Sequence, residues 1–178
     1  GVMQINYPDT FWRAHLIIEY RDEKKRYIWG CEDKVHIIGN GIDASLIGPD
    51  KKKSAPEEGV INFIGVASLS FWHGYDRVLK GIAGYYQELK SVTDSSDVYK
   101  DVHFWVVGKG SEYNNLLEMV SDLKINEHVT FTGFLTGEDL DELYAKAHIG
   151  FASLGLHRIG LQKASVLKAR EYACKGLP

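Results

Sequence analysis

Basic and acidic residues, 21 and 24 of them, are mixed along a chain of 178 residues, and the net charge of −3 leaves no basic footprint for a nucleic acid or other polyanion. With 44% hydrophobic and 25% charged residues the composition is that of one globular domain with a real core, and no apolar run is long enough to span a membrane. The N-terminus has no signal-peptide pattern, and Cys31 and Cys174 are isolated from each other in no metal-ligand spacing, so the expectation is a cytoplasmic protein with reduced, structural thiols and no metal site.

Taken in order, the chain starts with a short polar stretch containing Pro8. Asp9 or Thr10 is then placed to cap a helix running to about Trp29. Phe11, Trp12, Leu16, Ile17 and Tyr20 cluster on its first half, and Arg21-Asp22-Glu23-Lys24-Lys25-Arg26 gives the second half a solvated face. Gly30 ends it, residues 34–38 read as a short strand, and Asn40-Gly41 predicts a tight turn with positive φ. Residues 1–30 read as an N-terminal helical segment, the tail of a preceding domain, and residues 49–59 as a polar linker within the main domain of residues 31–178.

From Val60 the pattern is regular. Apolar runs at residues 60–64, 102–107, 129–134 and 148–153 read as strands. Helices are expected at residues 75–89, after Gly110 with apolar positions Leu116, Leu117, Val120 and Leu123, and at 138–147 capped from Thr136 or Gly137. Residues 93–100 form a polar connection. Ser165 has the chemistry of an N-cap for a last three-turn helix, which Gly176 and Pro178 stop. Buried strands without polar alternation, each followed by a helix, predict a doubly wound parallel sheet, a Rossmann-like α/β fold, with ligands at the carboxyl ends of the strands. The loops at residues 65–74, 108–110, 134–137 and 154–164 meet at that edge, and the last helix begins there.

Lys168 stands in the first turn of that helix, where the macrodipole disfavours a cation. A lysine beside free N-terminal amides suits a phosphate, and Glu171, one turn deeper on the same face, suits a diol such as a ribose. The plain alternative is a solvated pair on the helix surface. Gly108-Lys109-Gly110 is a truncated phosphate-loop signal, against an alternative in which Gly108 only turns the chain. His73 precedes a helix N-terminus and is suited to help hold an anion, or is a partly buried loop residue. His157 and Arg158 are two basic groups at the ligand edge, or ordinary solvated loop residues, and Trp105 belongs to the core.

Asn40-Gly41-Ile42-Asp43, Phe63-Ile64-Gly65 with His73-Gly74, Val106-Val107-Gly108-Lys109-Gly110, Val129-Thr130-Phe131-Thr132-Gly133-Phe134 and Glu171-Tyr172-Ala173-Cys174-Lys175-Gly176-Leu177-Pro178 follow one another in this order. Together they resemble the donor-binding half of GT-B glycosyltransferases, in particular the large retaining group, family four, that uses nucleotide-activated sugars without a metal. The resemblance runs from Val35 to Pro178. It implies that Glu171 bonds the ribose hydroxyls and that Leu167 and Lys168 meet the diphosphate. It sets Phe134 and Leu135 beside the nucleobase, lines the crevice with Gly108 and Lys109, and brings Gly65, Ser68 and the loop that follows toward the diphosphate or the sugar.

Two departures from the family pattern stand out. Val66-Ala67-Ser68 and His73 replace an arginine and a lysine, and Lys163 stands where a first glutamate would hold the sugar. Arg158 or Lys168 is then the source of the missing positive charge, and Lys168, Glu171 and Arg158 form the expected catalytic set, with His73 and His157 among the donor-binding residues. The resemblance further implies no cofactor, a UDP-, GDP- or ADP-sugar as partner, and a glycan or lipid-linked acceptor held by a domain N-terminal to this one. The chain is thus expected to be a fragment inactive alone, its intact enzyme associating peripherally with the inner face of the cytoplasmic membrane. Two other readings remain at this point, a non-catalytic assembly module and a GT-B sugar-nucleotide epimerase.

Overall fold

The computed structural model of the protein describes residues 17–19, 34–47, 59–91, 101–162 and 164–178. The linker at residues 49–58, the connection at 93–100, Cys31 and Lys163 lie outside them. The chain divides into two compact units, residues 1–41 with 163–165, and residues 42–162 with 166–178.

In the first unit β1 (Ile17–Glu19) pairs in parallel with β2 (Val35–Ile37). The helix expected through residues 10–29 is therefore not formed at its centre, and its other residues lie outside those described. Two adjacent isoleucines favour an extended chain, and a second short apolar strand supplies ladder bonds that a helix would otherwise make internally. The Asn-Gly turn is also corrected, because neither Asn40 nor Gly41 has positive φ. Asn40 is held instead by Ser165: its backbone N–H donates to Ser165 Oγ at 2.9 Å and its side-chain Nδ2 to the Ser165 carbonyl at 2.8 Å.

The second unit opens with the short α1 (Ala44–Ile47), started by a hydrogen bond from the Ser45 N–H to Asp43 Oδ1 at 2.9 Å. Strands β3 (Val60–Val66), β4 (Asp101–Val107), β5 (Val129–Gly133) and β6 (Ile149–Gly150) then form an all-parallel sheet in the order β5-β4-β3-β6. Helices α2 (Tyr75–Ser91), α3 (Tyr113–Asp122), α4 (Gly137–Lys146) and α5 (Leu167–Cys174) follow the four strands. β6 is much shorter than the expected 148–153. The chain leaves β3 for β4 on one side and returns to β6 on the other, so the strand order reverses beside β3. Such a switch point opens a crevice at the carboxyl ends of the two flanking strands.

The sheet is covered on both faces. One core joins Phe104 and Val106 of β4 to Tyr75, Leu79 and Ile82 of α2 and to Leu116 and Val120 of α3. The other joins Ile64 and Val107 to Tyr144 of α4, Tyr172 of α5 and Leu177. The alternation along β4 explains the split, since successive side chains point to opposite faces. Each fully buried large side chain contributes about 1.5–3 kcal/mol. Leu117, expected on the apolar face of α3, is 40% exposed, because the helix buries only the Leu116–Val120 stripe. Trp105 is half-buried against the second core rather than within it. Among the described residues no helix is long and apolar enough to cross a membrane.

Candidate functional site

The edge at which β3, β4 and β6 end is closed by backbone as much as by side chains. Gly108, at φ +115, lies so close to the loop after β3 that a Cβ built there would collide with the Ala67 carbonyl oxygen, and one on Gly110 would stand 2.7 Å from the Ser68 and Leu69 carbonyl oxygens. Ala67 N–H donates to the Val107 carbonyl at 3.0 Å, and Glu112 N–H to the Leu69 carbonyl at 2.8 Å. Gly108 and Gly110 thus let two loops touch, which accounts for them without a phosphate. Lys109 is exposed, with its Cε 3.5 Å from where a Gly133 Cβ would be.

The loop after β3 continues through a 3-10 turn, Phe71–His73, into α2. The Ser70 N–H donates to His73 Nδ1 at 2.9 Å, so the neutral ring carries its proton on Nε2 and offers a donor there. His73 is neutral at physiological pH: burial, and after it the charge of Lys168, holds its pKa at about 4. The loop after β6 is fastened over this turn. Leu154 N–H donates to the His73 carbonyl at 2.9 Å and Gly155 N–H to the Trp72 carbonyl at 3.1 Å. Arg158, in the 3-10 turn Leu156–Ile159, donates from both terminal nitrogens to the two oxygens of Asp76 at 2.8 Å, and to the Phe71 carbonyl at 2.7 Å. Those bonds keep the Asp76 carboxyl below its usual range. The structure therefore engages Arg158 in holding two loops together.

α5 begins at the same edge. Its N-cap is Val166 with no side-chain bond, not Ser165, whose hydroxyl accepts from Asn40. Its C-terminus follows the expectation: Gly176 at φ +67 gives Gly176 N–H to Ala173 O at 3.0 Å and Leu177 N–H to Tyr172 O at 2.8 Å, a Schellman closure. Lys168 points inward. Its Nζ lies 5.9 Å from the centre of the Tyr75 ring, is buried, and has no hydrogen-bond partner. The surface pair with Glu171 is thus not made. Burial brings the Lys168 pKa down to about 8, which leaves it mostly charged at pH 7. A buried ammonium without acceptors is costly, by roughly 1–3 kcal/mol or more, and marks a place where an anion would be favourable. Glu171, half-buried, accepts from the Tyr144 hydroxyl at 3.0 Å through Oε1.

The remaining residues singled out in the sequence are dispersed. Gly65 is covered by Tyr75, whose Cζ would be 2.7 Å from an added Cβ, so Gly65 faces the core. Ser68 is exposed at the loop, with its carbonyl accepting from Ser70 Oγ at 2.8 Å. Phe134, 77% exposed, and half-buried Leu135 follow β5. Leu167 is exposed at the first position of α5, and His157 lines a cavity of about 540 Å³ beside Gly160 and Leu161. A larger cavity of about 670 Å³ lies against α2 and is walled by Phe63, Val78, Ile82 and Phe151, with none of these candidates. Its walls are mostly apolar, and the one charged residue in them, Arg77, donates to the Leu154 carbonyl at 2.9 Å.

Three tyrosines escaped the sequence reading. Tyr75 and Tyr172 both donate to the Phe151 carbonyl, at 3.1 and 3.3 Å, and the Tyr172 oxygen accepts the Val66 N–H at 2.9 Å. Their rings fill the room left by Gly65 and Gly150, where an added Cβ would be 2.7 and 2.5 Å from ring carbons. A glycine inside a buried strand is the signal that could have located them. The third is Tyr144. Among the described residues no group of three His, Cys, Asp or Glu side chains is placed to hold a metal ion.

Residues 48–157 match the family model of glycosyl transferases group 1, more than half of the chain. The chain belongs to this family. The match ends before α5 and does not reach Lys168 or Glu171. No curated protein matches the chain. The fold is that of GT-B glycosyltransferases. The pneumococcal O-GlcNAc transferase GtfA, solved in complex with UDP and GlcNAc, superimposes with a TM-score of 0.64 at 17% identity, over 97% of this chain and 31% of that one. Anabaena HepE, in complex with UDP and glucose, gives 0.58 at 17%, over 93% and 43%. A mutant of S. aureus TarM, in complex with Fondaparinux, alpha-GlcNAc-glycerol and UDP, gives 0.63 at 14%, over 95% and 30%. This group 1 glycosyltransferase domain thus spans about a third of the length of GtfA and TarM and under half that of HepE.

Proposed function

We propose that this domain binds a nucleotide-sugar donor at the switch-point crevice, for transfer of its glycosyl group to a glycan or lipid-linked acceptor. The observation that carries the reading is the buried, partnerless ammonium of Lys168 at the start of α5. The donor's diphosphate takes the place of the acceptors that Lys168 lacks. The N–H groups that the first turn of a helix leaves unpaired, and the Nε2–H of His73, whose pKa burial and then the charge of Lys168 lower, are further donors for it. Charge that develops on the departing nucleoside diphosphate is offset by Lys168, fixed in a low-dielectric setting before the reaction begins. Glu171 accepts from the ribose hydroxyls. In this chain the cation comes from α5, and the position where the family resemblance implies a lysine holds the uncharged His73. GtfA and HepE, the relatives solved with UDP and a sugar, support a nucleotide-sugar as ligand class.

Calorimetric titration of the chain with UDP, GDP and ADP tests the reading. Binding of one of them in the micromolar to millimolar range, weakened by Lys168→Met, is expected. Failure of all three to bind would overturn it. Glu171→Ala separates an enzyme's donor domain from an assembly module, since only the former loses nucleotide affinity.

A further inference from the structure

Tyr144 is 1% exposed, so its hydroxyl has no water to turn to, and its one bond goes to Oε1 of Glu171 at 3.0 Å. The direction of that bond is set by chemistry. The phenol supplies the hydrogen and the carboxylate accepts, because Glu171 in its charged form has no hydrogen to give. A half-exposed glutamate in the middle of a helix otherwise samples several rotamers, and fixing it costs conformational entropy. The bond to Tyr144 removes that freedom before any ligand arrives.

Tyr144 is itself held. Lys175 Nζ stands 5.8 Å from its ring centre and is bonded to Asp141 Oδ1 at 2.8 Å, although Lys175 is only 6% exposed. The Tyr172 ring meets it edge-on, centres 6.0 Å apart. α4 supplies Asp141 and Tyr144, and α5 supplies Glu171 and Tyr172, with Lys175 as its C-cap residue. The acceptor side chain of one helix is thus braced by the helix beside it. A functional carboxylate is most effective when its supporting groups are locked by packing in this way.

We propose that Tyr144 is a positioning residue for donor binding: its hydroxyl occupies one oxygen of Glu171 and turns the remaining acceptor sites of the carboxylate toward the vicinal diol of the nucleotide's ribose. The inference rests on the reading that Glu171 meets the ribose. It adds that the ribose contact is preformed by α4, which contributes no atom to the ligand.

The test is a titration with whichever of UDP, GDP and ADP binds, alongside its 2′,3′-dideoxy counterpart, which lacks the diol. The wild-type chain, Tyr144→Phe and Glu171→Gln are compared. Tyr144→Phe keeps the ring and its packing. It is expected to lower affinity for the ribonucleotide about tenfold, the size of one hydrogen bond to a charged group, and to leave affinity for the dideoxy form unchanged. Equal weakening of both ligands, or of neither, would overturn the proposal, because a merely structural tyrosine does not distinguish them. Glu171→Gln reports separately on the underlying reading: an unchanged ratio of ribo to dideoxy affinity would remove the ribose from Glu171 altogether. Should Tyr144→Phe fail to fold, Lys175→Met loosens the ring from its other side, with a smaller but equally selective loss expected and an unselective one against the proposal.

Discussion

The loop after β6 and the first turn of α5 lie at one edge of the sheet, and each brings a cation to it. Arg158 in the loop makes three bonds, two to Asp76 and one to the Phe71 carbonyl. Lys168 in the helix makes none, although its nitrogen is buried. The difference separates two uses of positive charge. A guanidinium with its donors matched to a carboxylate and a carbonyl is part of the frame, and an anion would have to displace those partners to use it. An ammonium with no acceptor has its stabilisation still to gain, and a ligand can supply it. Both residues are expected in the catalytic set from the sequence; the geometry gives Arg158 two loops to hold and leaves the buried Lys168 ammonium without a partner.

Four experiments bear on that contrast, and the largest expected effect belongs to the frame. Gly108→Ala places a Cβ against the Ala67 carbonyl at a φ of +115, and should destabilise the fold by about 3 kcal/mol or more in urea unfolding. A loss below about 1 kcal/mol would mean that the loops after β3 and β4 are not in contact. Lys168→Met should reduce nucleotide affinity by about 2 kcal/mol, roughly thirtyfold, while leaving stability equal or higher, since a partnerless charge is removed. A loss of stability instead would place Lys168 with the frame. Arg158→Ala should show the converse, about 1–2 kcal/mol of stability lost through the freed Asp76 and Phe71 groups. A selective loss of affinity without loss of stability would make Arg158 a ligand group.

The smallest effect is in pH. Lys168 titrates at about 8 in the folded chain against an ordinary value of 10.5, so above pH 8 the unfolded state binds more protons than the folded one. Stability should therefore rise between about pH 8 and 9.5, whereas nucleotide affinity should fall over the same interval as the ammonium is lost. His73, held down at about 4, contributes to neither in that range. Thermal melts and titrations of the wild type against Lys168→Met measure both slopes, and slopes of the same sign would refute the assignment.

Much of this was legible along the chain. The strands from Val60 to Gly133 and the helices between them appear close to where apolar runs and turn residues put them, because a buried parallel strand is apolar throughout and a helix repeats every 3.6 residues. Lys168 stood out for a related reason: a cation in a first helical turn contradicts a local rule, and its nitrogen is indeed unlike a solvated surface group, being buried without a partner. Contacts over long separations were not legible. Ser165 has the chemistry of a cap, but its hydroxyl is taken by Asn40, 125 residues away. Ile17–Glu19 lies in a stretch with helical composition and became a strand because β2 was available to pair with it. Arg158 looked free until folding brought Asp76 to it across 82 residues. Tyr144 and Glu171, 27 residues apart, gave no sign of each other.

The succession of strands and helices from Val60 onward, and the edge at which the loops after the strands meet, were legible in the sequence alone, since each depends on periodicity and turn chemistry over a few residues. Which cation is engaged and which is open, and how Glu171 is braced, were decided only in three dimensions. A hydrogen bond has no trace in the sequence when its two ends lie on different elements; it exists only once packing has set the distance between them.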